Sequence, residues 1–328
     1  MSKIEWTERT WNPIRGCSMV SAGCAHCYAM RQAHRFAGPG QPYEGLTYLG
    51  PKGPLWTGRV ALSETTLEAP LRWRKPRRVF VNSMSDVGHP DIPLSFLARM
   101  FNVMASATLA CRHRLASQHE DECWSGPHHQ FQALTKRPEV LRERIPQISD
   151  WAARYWPGDC ALNAALDAGT WPLPNVWLGV SVEDQDAARA RIPNLLATPA
   201  AVRFVSYEPA LGPVDFTRIH FGKRLVQRHP DRLNALTGEC DEGHGQFDGI
   251  REMSSGPRVD WLICGGESGP GARPMHLAWA RSVHDQCKAA GVPFFMKQFS
   301  GPGGRAIKDM TAFPADLRIR EFPKERSA

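Results

Sequence analysis

Six short apolar runs recur along the chain, and each gives way to polar residues. The first three are Val79-Phe80-Val81 into Asn82-Ser83-Met84-Ser85-Asp86, Phe131-Gln132-Ala133-Leu134 into Thr135-Lys136-Arg137, and Val176-Trp177-Leu178-Gly179-Val180 into Ser181-Val182-Glu183. The others are Val202-Arg203-Phe204-Val205 into Ser206-Tyr207-Glu208, Trp261-Leu262-Ile263-Cys264 into Gly265-Gly266-Glu267, and Phe294-Phe295-Met296 into Lys297-Gln298. Near-continuous apolar runs of this length predict parallel strands buried on both faces. Apolar stripes at helical spacing predict helices over 93–106, 184–197 and 277–290, the last stopped by Gly291. Pro193 is expected to break or kink the second. Alternating strand and helix means βα units and an α/β class with one parallel sheet. In such sheets reactive groups stand at the carboxyl ends of the strands. All six runs carry their polar residues at that end, which points to one shared site.

Four stretches interrupt the pattern. Residues 31–58 are rich in Gly and Pro and read as an irregular loop. Residues 107–128 and 215–258 read as insertions, and 301–328 as a C-terminal tail with little core material. The remainder, 1–300, reads as a single domain. No run of about 18 apolar residues exists, so no membrane span is expected. The N-terminal MSKIEWTERTWNP lacks the apolar stretch of a signal peptide. A cytoplasmic protein is expected, with its nine cysteines mostly reduced. Clustered thiols there read as metal ligands or catalysts before disulfides. A net charge of +7, with local runs such as Arg72, Arg74, Lys75, Arg77 and Arg78, favours phosphate-bearing partners. A solvated basic face explains it equally, and charge does not separate DNA from RNA.

One such cluster is present. Cys17, Cys24 and Cys27 have the spacing C-x6-C-x2-C, and three thiolates on one loop can cap three irons of a cubane while leaving the fourth open. A structural zinc would want four ligands, with His26 available as the fourth. Incidental thiols are the third possibility.

Eight motifs extend the reading: IEWTERTWNPIRGC, GCAHCYA, VFVNSMSDVGH, FQALTKRP, WLGVSVEDQ, VRFVSYEPALGPV, WLICGGESGPGARPM and GVPFFMKQ, running from Ile4 to Gln298. By these the chain resembles the phage- and prophage-associated three-Cys-motif proteins, a domain of unknown function related to the radical SAM superfamily. GCAHCYA is also similar to the cluster loop of spore photoproduct lyase-like enzymes. The resemblance implies a partial (β/α) TIM-type barrel of the radical SAM kind, holding a [4Fe–4S] cluster on the three cysteines together with S-adenosylmethionine. It implies reductive cleavage of S-adenosylmethionine to modify or repair a nucleic-acid base, with DNA favoured over RNA. A reductant such as flavodoxin or ferredoxin follows. The first cysteine gap is three residues longer than the usual C-x3-C-x2-C.

The strand ends supply the other candidates. By resemblance Asn82, Ser83, Ser85 and Asp86 grip the methionine ammonium; Ser and Asp there also suit a helix cap. Ser181 and Glu183 would take the ribose hydroxyls, or Glu183 would serve the first turn of the next helix. Gly265-Gly266-Glu267 resembles a GGE that contacts the methionine amino group, though a tight turn explains it too, and Glu267 facing substrate is the alternative. Lys136, Arg137, Lys297 and Gln298 suit phosphate or carboxylate, or else pair with Asp86, Glu183, Glu208 and Glu267 inside the barrel. Lys136, Glu208, Glu267 and Lys297 are the catalytic candidates. Trp6, Trp11 and Tyr28 flank the cysteine loop, to shield a cluster, stack on adenine, or simply pack. Cys111, His113, His119, Cys123, His128 and His129 match no standard zinc finger, and Cys160, Cys240, Cys264 and Cys287 are scattered. Three other functions stay open: a non-catalytic iron–sulfur protein that binds nucleic acid or a partner, a radical SAM enzyme for a small metabolite, and a zinc-binding structural module.

Overall fold

A computed structural model describes residues 4–107, 129–156, 160–220, 232–240, 256–269, 271–301 and 304–324. Its centre is an eight-stranded sheet of β1 (Arg9–Trp11), β2 (Arg78–Val81), β3 (Gln130–Thr135), β4 (Val176–Ser181), β5 (Val202–Tyr207), β6 (Trp261–Gly265), β7 (Phe294–Ser300) and β8 (Ala306–Ile307). The strands lie in chain order. Neighbours from β1 to β7 are parallel, and only β8 runs antiparallel, against β7. All six anticipated runs are therefore strands. The antiparallel edge and the short β1 add to them.

The longer helices are α1 (Tyr28–His34), α2 (Leu94–Ser106), α3 (Pro138–Tyr155), α4 (Ala161–Asp167), α5 (Gln185–Leu196) and α6 (Leu277–Ala290). Helix α5 does not break at Pro193 but runs through it. The proline lacks its own N–H, but its carbonyl still accepts from Ala197, so the helix closes its last turn. Two features of α3 mask it in the sequence: Pro146 sits inside it, and its mean composition is polar. Pro138 at its first turn is favourable there.

Strand alternation divides the core in two. Val79, Val81, Leu178, Val180, Val205, Tyr207, Leu262 and Cys264 pack with the helices in a large outer core. The intervening Phe80, Trp177, Phe204, Trp261, Ile263 and Phe295 meet one another and Trp6 on the opposite face. Gly179 is required here, since a Cβ on it would lie 2.4 Å from the Phe204 ring. The ring of Trp6 is 4.7 Å from that of Phe80 on β2 and 6.3 Å from that of Trp261 on β6. Those strands stand four places apart, about 19 Å in a flat sheet at ~4.8 Å per strand. The sheet is therefore strongly curled, with the aromatic cluster in its hollow. Its edges, β1 and β8, do not pair with each other among the described residues.

Three expected interruptions are partly ordered structure. Residues 31–58 contain the end of α1 and an antiparallel hairpin, Thr47–Gly50 with Gly53–Trp56. The described parts of 215–258 return Phe216, Ile219, Leu233 and Leu236 to the core. The C-terminal segment buries Phe313 and Leu317 and lays Phe322 against Trp261. It completes the core instead of trailing from it. Cys111, His113, His119, Cys123 and His128 lie outside the described residues, while His129 is buried against Trp73 and Phe131. No helix among the described residues is long and apolar enough to cross a membrane.

Leu317→Ala should cost about 2–5 kcal/mol, the range for emptying a fully buried leucine site. Urea denaturation measures it, and an unchanged midpoint would return 301–328 to the status of a tail.

Candidate functional site

Continuing the strand alternation past each carboxyl end carries Asn82, Lys136, Ser206, Glu208 and Lys297 to the hollow face. There they line an open cavity of about 240 Å³. The cysteine loop forms its other wall. Gly16 admits the loop: its φ is +85°, and a Cβ would strike the Arg59 carbonyl at 2.2 Å. A short 3-10 turn, Ala22–Cys24, follows, and Cys27 stands at the N-cap of α1.

Cys17, Cys24 and Cys27 are all free, half-buried and exposed to this cavity. Burial, with the nearby Asp86 charge, pushes the Cys17 thiol up to about 12, and burial raises Cys27 as well. The thiols also lie close enough for Cys27 to raise Cys17 and for Cys24 to raise Cys27. Three adjacent thiols, two of them made costly to ionise by burial, fit a shared cationic centre, because a bound metal pays for thiol deprotonation. Among the described residues no three His, Cys, Asp or Glu side chains converge on a single metal ion. A cubane distributes its cysteines over three irons, so its ligands stand wider apart than those around one zinc.

Buried ion pairs ring the cavity. Glu183, 1% exposed, lies between Lys136 and Arg191, with Arg191 Nη1 at 2.6 Å. It also accepts from Ser21 Oγ at 2.7 Å, and a Cβ on Gly23 would lie 2.3 Å from its Oε1. Asp86 takes Arg137 Nη1 at 2.8 Å, Lys136 N at 3.1 Å, and the Thr135 hydroxyl. Arg137 in turn donates to Ser18 Oγ at 2.6 Å and Ser18 O at 2.9 Å, and its Nη1 lies 3.9 Å from Cys17 Sγ. His89 Nε2 meets the same Ser18 hydroxyl at 3.0 Å. Lys297 pairs with Glu208 at 2.8 Å. Arg273 pairs with Glu267 at 2.5 Å and donates to Ala22 O at 2.9 Å. Three of these pairs thus reach the cysteine loop.

The structure gathers the anticipated residues in one place and reassigns several of them. Cys17, Cys24, Cys27, Tyr28, Asn82, Ser83, Ser85, Asp86, Lys136, Ser181, Glu208, Gly266, Glu267 and Lys297 all line the cavity. Glu183 and Gly265 sit behind that wall. Asp86 neither faces the cavity unpaired nor caps a helix, since α2 begins at Leu94 with Pro93 as its N-cap; Arg137 and Thr135 occupy it. Glu183 does not serve the first turn of α5, which Asp184 caps by accepting from Ala187 N at 2.9 Å. Ser85 donates to Ile14 O at 2.9 Å, Ser83 donates to Asn12 Oδ1 at 3.1 Å, and Tyr28 donates to Ser83 O at 2.7 Å. The glycine pair has a packing reason. A Cβ on Gly265 would meet Glu208 Oε1 at 2.3 Å, and one on Gly266 would meet Ser300 Oγ at 2.4 Å. Of the alternatives for the cations, mutual pairing is the one realised: Lys136, Arg137 and Lys297 each hold a carboxylate. Arg191 and Arg273 were not anticipated. Arg191 follows Glu183 by two helical turns on the face that α5 buries, a signal that could have been used; nothing local marks Arg273. Ser206 was equally findable, two residues before Glu208 on one strand face.

Burial alone would raise the Glu183 carboxyl, but the Lys136 and Arg191 charges outweigh it and hold the group below its ordinary 4.5. A lowered carboxyl contributes stability at neutral pH that is lost as the pH falls below 4.5 and through its folded value. Glu183→Gln leaves two cations without their partner and should cost about 3–5 kcal/mol at pH 7. The gap between variant and parent should narrow at pH 3.5, as urea midpoints at both pH values will show. A constant gap would mean that the carboxylate charge is not what matters.

Comparison with curated proteins and with solved structures returned no match. A family model described as "Protein of unknown function (DUF5131)" matches residues 1–314, nearly the whole chain and every element lining the cavity, and the protein is accordingly a member of the DUF5131 family.

Proposed function

We propose that this protein is a radical-SAM-like enzyme, built on a partial (β/α) barrel, that modifies or repairs a nucleic-acid base. The observation carrying the proposal is the placement of Cys17, Cys24 and Cys27 in one wall of a cavity at the carboxyl ends of seven sequential parallel strands. Sequential order with crossovers of one hand puts the connections on one side of a sheet, which leaves a curled hollow for a cofactor and substrate. In this reading Cys17, Cys24 and Cys27 would hold a [4Fe–4S] cluster, with S-adenosylmethionine bound beside it in the cavity. When bound, that pair supplies one-electron cleavage of the sulfonium and hydrogen abstraction from substrate.

The chain's own residues do the holding. Glu183, Arg273 and Arg137 fix the cysteine loop, and Tyr28 closes on Ser83 beside it. Lys136 and Lys297 offset the carboxylates of the wall, so the interior is close to neutral and adds little electrostatic bias of its own. An external reductant such as flavodoxin or ferredoxin would deliver the electron.

Nucleic acid is favoured as substrate by the segment that carries the thiols. Between Arg15 and Arg59 it has five cations, Arg15, Arg31, Arg35, Lys52 and Arg59, against one acid, Glu44, for a net +4. Phe36, Tyr48 and Leu49 are exposed on the same segment. Basic surface with interleaved exposed aromatics suits single-stranded or splayed-out bases. The run Arg72–Arg78, by contrast, precedes β2 and so lies at the end of the sheet away from the cavity.

One observation favours a second reading, a non-catalytic iron–sulfur protein. The strand-end carboxylates are committed to ion pairs, so few groups remain to grip a methionine moiety.

Anaerobic reconstitution should give a brown protein whose absorbance is lost in Cys24→Ala. Incubation with dithionite and S-adenosylmethionine should then yield 5′-deoxyadenosine. An intact cluster without that product selects the non-catalytic reading. Oligonucleotide binding should weaken steeply with salt, and Arg35→Ala with Arg59→Ala should flatten the slope by about two phosphate contacts. No binding at low salt would remove nucleic acid as the substrate.

A further inference from the structure

Four polar atoms in the cavity wall are buried with no hydrogen-bond partner among the described residues: both side-chain atoms of Asn82, Nδ2 and Oδ1, the indole Nε1 of Trp6, and Glu208 Oε1, of which only the last faces an opposite charge, Lys297 Nζ at 2.8 Å. Asn82 is 1% exposed and Trp6 2%. Groups so deeply buried are normally satisfied, and leaving one bare costs free energy that packing alone gives no reason to accept. Around Trp6 the surface is mostly apolar: the Phe80 ring lies 4.7 Å away and Ile4 and Leu134 pack against the same cluster, while the nearby Gln132 amide donates to the Trp6 carbonyl and not to its indole.

The backbone aims the Asn82 amide deliberately. Asn82 has φ +59°, the only non-glycine residue in the left-handed region among the described residues. Its N–H is taken by Trp11 O at 2.8 Å and its carbonyl by Ser85 N at 3.2 Å. The main chain is thus fully used in ending β2, and the side-chain amide is left without a partner in the wall of the cavity. It stands two residues beyond Phe80, on the same face of the strand.

We infer that Asn82 and Trp6 form the recognition site for a nucleobase. An amide presents a donor and an acceptor side by side, the pattern that pairs with two adjacent polar atoms on the edge of a base. Apolar aromatic walls with a few polar groups at the edge are how a base taken out of its stack is held. The indole N–H supplies one further donor. Lys297, Glu208 and Arg137 are engaged with one another or with Asp86 and do not compete for the ligand. The choice of ligand class rests on the base-acting function proposed above. The geometry rests on the cavity alone and needs no cluster. The base can be that of a substrate nucleotide or the adenine of S-adenosylmethionine, since both offer the same edge chemistry.

Equilibrium dialysis of the full chain against labelled adenosine, guanosine, cytidine, thymidine and S-adenosylmethionine tests this. Binding of at least one should fall roughly tenfold or more in Asn82→Gly, a change that tolerates the left-handed backbone while deleting the amide. Trp6→Phe keeps an aromatic ring while removing the indole donor and part of its bulk, so it should weaken the same ligand; it decides the matter if the glycine variant melts early and this variant does not. Binding confined to adenosine and S-adenosylmethionine identifies the cofactor's adenine, and binding of guanosine or a pyrimidine identifies a substrate base. Failure of all five to bind, or binding that neither substitution weakens, overturns the inference. Because the readout is binding without turnover, it is separate from the 5′-deoxyadenosine assay. Deoxyadenosine formed by a protein whose ligand binding ignores both substitutions would sink the base site and spare the enzyme.

Discussion

Glu183 is the contact on which the candidate site depends. Its carboxylate is almost fully buried, which is tolerable only because Lys136 and Arg191 flank it. Its two oxygens face two structural layers. Oε2 holds Arg191 of α5, behind the sheet, while Oε1 takes Lys136 from β3 and the Ser21 hydroxyl from the cysteine loop. Gly23 allows the loop to close against the same carboxylate, where any side chain would collide. A nine-residue stretch of loop with little regular structure is thereby pinned at its centre to the most buried part of the sheet.

The curl of the sheet gives that pin its meaning. Strands in sequential parallel order leave one face without helices, and large aromatics fill it: Trp6, Phe80, Phe204, Trp261 and Phe295. Above this apolar plug the strand ends turn polar and the ion pairs begin. The plug excludes water from below and the pairs fix the walls, so the thiols sit at a boundary between dry and wet. That is where a cationic centre can ionise them while remaining reachable from solvent.

Much of this was legible in the chain. Near-continuous apolar runs located every long strand, and the polar residues just past them included Asn82, Lys136 and Glu208. The cysteine spacing marked the opposite wall. What could not be read was pairing. Asp86 looks available in the sequence, yet Arg137, 51 residues away, occupies it. Glu267 looks like a ligand of a methionine amine, yet Arg273 holds it. Such choices depend on which side chains the fold brings within reach of one another. The tail misread for a similar reason: Phe313 and Leu317 are isolated apolar residues with no period, and only the fold reveals the pocket each fills.

The central claim is that three thiols of one loop hold a single cluster with an open iron facing the cavity. Electron paramagnetic resonance of the anaerobically reconstituted, dithionite-reduced protein, recorded before and after addition of S-adenosylmethionine, tests it most directly. The predicted result is the signal of one reduced [4Fe–4S] cluster that shifts when S-adenosylmethionine is added. A protein that retains no iron, or a cluster signal indifferent to S-adenosylmethionine, would contradict it.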